Sequence, residues 1–183
     1  MRIAFIALLI GCAAGLSGCT DRSPVVAVGT LSTSDRAGNG QKIAQLAAQQ
    51  CFDHSNNLGE FQDALKATGW RFTRKQRAEP SNPLALDAWA VPNVTVLLGQ
   101  PLSNGARICS LLVEAPVAPS LRSMKSALSR LTGHEPGADG EWWWNRTATR
   151  KLHMTADGDG DRGQNLFINV EIYPLSWWQG LLG

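Results

Sequence analysis

The chain has little excess charge of either sign, and that lack sets a first limit on its function. Its 17 basic residues stand against 15 acidic ones, spread along 183 positions. A near-neutral balance argues against nucleic acid, or a strongly anionic surface, as partner. Catalytic signatures are missing too. There is no HExxH, GxSxG, P-loop or paired CxxC, so metalloprotease, esterase-type and nucleotide-binding chemistries have no motif to carry them. The three histidines, His54, His134 and His153, are scattered, and no nucleophile, base and orienter can be named. The chain therefore reads as non-enzymatic, with no cofactor. A membrane-spanning run is lacking as well. The apolar stretch from Ile3 to Leu16 would rise only about 21 Å as a helix, against a hydrocarbon core of roughly 30 Å.

That stretch follows the single positive charge of Arg2 and ends at Leu16-Ser17-Gly18-Cys19. A basic start, a short apolar core and small residues at the end form a secretory signal rather than a span. Leu16 to Cys19 resembles the lipobox of bacterial lipoproteins. The resemblance covers only the first nineteen residues or so and says nothing of the mature domain. It implies that the Cys19 thiol is lipidated, that residues 1–18 are removed, and that the new amine is acylated. Leu9-Ile10-Gly11-Cys12 also fits, but leaves an apolar core of fewer than ten residues, so Cys19 is preferred. Two or more acyl chains make a stable anchor where one does not. Thr20, rather than Asp, follows Cys19, which in the sorting rule of enteric bacteria directs a lipoprotein to the inner leaflet of the outer membrane, facing the periplasm.

Removal of residues 1–18 leaves 165, enough for one domain with a core of its own. Residues 19–39 are Ser, Thr, Gly, Asp and Val without helical or alternating period, and read as a flexible tether of roughly 25 Å reach. Residues 40–183 form the domain. Cys51 and Cys109 are the two cysteines left after signal removal and acylation, and in an oxidising periplasm they are expected to pair.

Within the domain Ile43, Ala47 and Cys51 recur at helical spacing, predicting a helix over Gln41 to Phe52. A second helix carries Phe61, Ala64 and Leu65 and stops at Gly69. Strands are expected at Trp70–Lys75, Trp89–Leu98 and Arg107–Glu114. The order then restarts, with a helix marked by Leu121, Met124, Leu128 and Leu131, and strands at Glu141–Arg146, Thr149–Ala156 and Asn165–Tyr173. The fold expected is α+β: two helix-plus-three-strand units, a candidate internal repeat of 40–116 and 117–174, forming a mostly antiparallel six-stranded sheet with helices on one face. Alternation puts Cys109, Leu111 and Val113, and Leu166, Ile168 and Val170, on the inner side. Cys51 lies on the apolar stripe of its helix, so both sulfurs point into the helix–sheet layer.

Candidate sites are few. His153 falls on the outward side of its strand, opposite Leu152 and Met154, and reads as an exposed strand histidine. Cys51 and His54 have C-x-x-H spacing, but two further ligands are missing, so no metal site is assigned. Asp157, Asp159 and Asp161 match the first three ligand positions of an EF-hand loop, a weak calcium candidate. Arg162 stands where that loop needs Gly, Ile168 where it needs Glu, and a polar turn has the same composition. The chain has seven tryptophans, five of them in the runs Trp142-Trp143-Trp144 and Trp177-Trp178. Along a strand Trp142 and Trp144 share one side and Trp143 takes the other. Trp142 and Trp144 suit the core. Trp143, Trp177 and Trp178 either cover other surface or form a contact surface, since Trp is favoured at binding hot spots and membrane interfaces.

Two functions are expected from these features. The first is a lipoprotein that binds another protein, of inhibitor or immunity type. The second is an envelope assembly or maintenance component that contacts lipid or a membrane complex.

Overall fold

The structure is a computed structural model of the chain and describes residues 31–53, 58–76, 85–99, 105–147 and 150–174. Cys19, His54, Trp177 and Trp178 lie outside these residues. Among those described are helices α1 (Arg36–Ala47), α2 (Leu58–Ala67) and α3 (Leu121–Thr132). The strands are β1 (Arg71–Gln76), β2 (Leu86–Val91), β3 (Val94–Gly99), β4 (Arg107–Val113), β5 (Trp142–Thr147), β6 (Arg150–Asp157) and β7 (Leu166–Pro174). They form one antiparallel sheet in the order β1-β2-β3-β4-β7-β6-β5. The α+β expectation is met. The six-stranded, three-plus-three arrangement is not: four strands precede α3 and three follow it.

The extra strand comes from a hairpin. The segment expected as one strand from Trp89 to Leu98 reverses at Pro92-Asn93, with Val91 opposite Val94. Proline at the first central position and a residue at φ 65° in the second, here Asn93, are the residue pattern of a type II turn. Strands β4 and β7 meet at the centre of the sheet, Leu111 opposite Ile168.

Helix α1 begins earlier than its apolar period suggests, and this corrects the tether at its C-terminal end. Asp35 caps the helix by accepting from the Gly38 amide at 2.9 Å. Asn39 is buried, and its side-chain amide donates to the Ser32 carbonyl at 2.7 Å and the Val117 carbonyl at 2.8 Å. Residues 31–39 are thus held to the domain. Gly40 packs on α3, where a Cβ would come within 3.1 Å of Ser123 Oγ, so small residues here let the two helices approach closely. Helix α3 has a cleaner sequence signature. Ser120 accepts from the Ser123 amide at its start, and Gly133, at φ 70°, closes it by donating to the Ser129 carbonyl.

All three helices contribute to one core with the inner sheet face. Ile43 and Leu46 of α1, Phe61 and Leu65 of α2, and Met124 and Leu128 of α3 bury against strand residues. These include Val94, Val96, Leu111, Val113, Trp142, Leu152, Met154, Leu166, Ile168 and Val170, in the alternation expected of a half-buried sheet. Cys51 lies in a π-helical turn (Ala48–Asp53) that extends α1, and it is bridged to Cys109 of β4 with a Cα–Cα distance of 5.5 Å. Among the described residues no helix is long and apolar enough to cross a membrane.

Candidate functional site

The three consecutive tryptophans divide as strand geometry requires. Trp142 is fully buried, and its indole N–H lies 3.2 Å from the His134 carbonyl and 3.4 Å from Ser129 Oγ. Trp144 is also in the core, edge-on to Phe52 with centroids 5.4 Å apart. Trp143 projects from the opposite face and is 39 % exposed.

What Trp143 stands on was not legible from its own strand. Its partner across the β5–β6 ladder is His153, whose partner across β6–β7 is Glu171. The indole lies flat on the imidazole, centroids 3.9 Å apart and planes within 9°. Lys151 Nζ sits 5.0 Å from the indole centroid, and the Tyr173 ring lies 6.0 Å away. Under this cover His153 is only 14 % exposed, so the exposed-histidine reading is corrected: it is outward, but roofed by Trp143.

Both nitrogens of that ring are engaged. Nε2 lies 2.7 Å from Glu141 Oε2, and Nδ1 lies 3.1 Å from Glu171 Oε2. A carboxylate only accepts, so the imidazolium form satisfies both contacts at once. Tyr173 donates its hydroxyl to the same Glu171 oxygen. Partial burial, then that hydrogen bond and the nearby charge of Glu171, push the Tyr173 phenol well above its ordinary value. The result is an aromatic cap over a carboxylate–imidazole–carboxylate row, built by strand register from residues 12 to 30 positions apart. On the same sheet face, toward the other end of β7, Phe167 is also 39 % exposed.

The acidic loop after β6 makes contacts within itself and to α1. Asp157 Oδ1 accepts from the Gly158 amide at 2.7 Å, and Asp159 Oδ1 accepts from the Asp161 amide at 3.0 Å, starting a 3-10 turn (Gly160–Arg162). Asp161 faces Arg36 at 3.9 Å, and Asp159 faces Arg162 at 3.8 Å. The three carboxylates are turned to local amides and arginines. Among the described residues no three Asp, Glu, His or Cys side chains come together as a cation site.

Comparison with protein-family models, with curated proteins and with solved structures finds no match. The surface chemistry of this chain carries the functional reading by itself.

Proposed function

We propose that this chain is a non-enzymatic lipoprotein that binds another protein, of inhibitor or immunity type, through the outer sheet face centred on Trp143. In this reading Cys19 carries the lipid, and the domain faces the periplasm from the inner leaflet of the outer membrane. The observation that carries the binding surface is the posture of Trp143: a large aromatic left 39 % exposed, yet held flat against His153 with Lys151 and Tyr173 beside it. An aromatic fixed before contact loses little freedom on binding, which is why such residues dominate interface energetics.

The test combines capture with stability. Crosslinked envelopes should yield one stoichiometric soluble partner, and Trp143→Ala should weaken that capture some thirtyfold, for a contact of about 2 kcal/mol. The same variant should lose no more than about 1.5 kcal/mol of stability, the scale of one aromatic pair. Undiminished capture, or a stability loss of about 3–5 kcal/mol as for a core tryptophan, removes the contact surface. Capture of an integral membrane complex instead transfers the reading to envelope assembly or maintenance. Cys19→Ala should leave the membrane fraction and take up no labelled palmitate. Continued labelling refutes the anchor.

A further inference from the structure

Trp143, His153 and Glu171 stand in one rung across β5, β6 and β7 on the outer face. The middle ring is the base of the rung: Trp143 lies on it at 3.9 Å, and both its nitrogens face carboxylates. The charged groups around it come from each neighbouring strand. Glu141, just before β5, lies 2.7 Å from Nε2, and Glu171 of β7 lies 3.1 Å from Nδ1. Tyr173 of β7 donates to the same Glu171 oxygen, and Lys151 of β6 places its Nζ 5.0 Å from the Trp143 indole centroid. Among the described residues, His153 is the one hydrogen-bond partner of the Glu141 carboxylate. Glu171 has Tyr173 as well.

We infer that His153 is a pH-sensitive clasp, which holds Trp143 as a fixed platform when protonated and releases it when neutral. Both contacts need a donor on the ring, and only the imidazolium has two. When one proton leaves, the nitrogen that loses it turns a lone pair toward a carboxylate oxygen. Glu171 is the side that gives way. Its contact is the longer, and Tyr173 still donates to it, whereas Glu141 would be left without a donor. The Tyr173 phenol, pushed well above its ordinary value by burial and by Glu171, keeps its proton through that change. Two carboxylates then flank a neutral ring that is only 14 % exposed, where water screens them poorly. The indole also loses the cation beneath it. The held form carries one more proton than the released form. A partner that needs the held form therefore binds more weakly as pH rises through the transition, by at most about tenfold per pH unit. That consequence rests on the Trp143 surface proposed above, and the clasp itself does not.

The full chain, labelled with fluorotryptophan and held in neutral detergent, is to be titrated from about pH 5 to 9 with no partner present, a range that brackets the ordinary charge change of imidazole. The fluorine resonance of Trp143 is identified by its loss in Trp143→Phe, and the ring signals of His153 by their loss in His153→Gln. The Trp143 resonance should move with the same midpoint as the His153 ring, and should stay still in His153→Gln. Glu171→Gln, whose amide can meet either form of Nδ1, should shrink the Trp143 step at least about twofold. If His153→Gln melts without a cooperative transition, wild type and Glu171→Gln decide by the same comparison. A Trp143 resonance that stays still while His153 titrates, a step that persists in His153→Gln, or a His153 ring that keeps one charge state across the range overturns the inference. The two readings fail separately. A Trp143 step together with undiminished capture by Trp143→Ala keeps the clasp and removes the binding surface, whereas weakened capture without the step removes the clasp alone.

Discussion

Tyr173 is the only tyrosine in the chain, and its position beside Glu171 makes the outer-face cluster measurable. The folded protein holds its phenol well above the free value of about 10, chiefly through burial and then through Glu171. A group whose pKa is raised on folding contributes stability that is complete below the unfolded value and lost as pH climbs toward the folded one. The domain should therefore keep its Tyr173 contribution to about pH 10 and lose it progressively above. Tyrosinate absorbance reads this one residue without overlap from another. Onset of ionisation near pH 10 in the folded protein would mean that the hydroxyl is neither buried nor bonded to Glu171. Tyr173→Phe should remove the alkaline step in stability, while costing about 1 kcal/mol at neutral pH for the lost hydrogen bond. At this scale, alternation along a single strand made the sides of Trp142, Trp143 and Trp144, and of His153, readable. The coupling of His153 to Glu141 and Glu171 was not readable, because it depends on which residues three separate segments bring into line.

Elements were legible in proportion to how much their own sequence stabilises them. Helix α3 has a Ser cap, an apolar stripe and a terminal glycine, and its observed bounds follow. Helix α1 starts with Arg36, Ala37, Gly38, Asn39 and Gly40, which have low helical propensity taken together; contacts to Ser32, Val117 and α3 hold that turn instead. The β2–β3 hairpin was hidden for a related reason. Apolar residues on both sides of Pro92-Asn93 read as one run, and only a two-residue turn signal separated them. In the loop after β6, Asp159 caps the 3-10 turn, a role that the acidic spacing alone did not disclose. Gly160 is its fixed point. The Gly160 amide donates to the Pro119 carbonyl at 3.1 Å, its carbonyl accepts from Arg36 at 2.7 Å, and a Cβ would meet the Ala118 carbonyl oxygen at 1.9 Å. Backbone cannot give way cheaply there. Gly160→Ala should cost at least about 1–3 kcal/mol, the range for overpacking, whereas exposed Asp161→Ala should stay within about 0.5 kcal/mol. Chemical denaturation of both variants checks the contrast, and equal effects would mean that the loop is held by its charges rather than by close packing.

Across the whole molecule, the helical layer is cross-linked to the sheet by the Cys51–Cys109 disulfide. Cys51 lies within the α1 extension and Cys109 on β4, opposite Val170 in the central β4–β7 pair, and both are buried. Grounds for this bond were legible beforehand, since helical and strand periods put both residues on the inward side. The 58-residue separation makes it a long closure. Chain entropy then gives roughly 4 kcal/mol as an upper figure, because residual structure in the denatured state lowers it. Against a total stability of about 5–15 kcal/mol for a domain, that is a large share. Cys51→Ala with Cys109→Ala should melt on the order of 10 °C below the wild type, and reduction of the wild type should produce a similar drop. Peptides from unreduced protein should carry the two residues linked. The comparison of reduced protein with the double variant separates the closure from packing: the reduced thiols still fill the core, whereas two alanines also leave a void. A loss confined to the alanine variant would assign the stabilisation to the volume of the sulfurs, and the helical layer would then be held to the sheet by its apolar contacts alone.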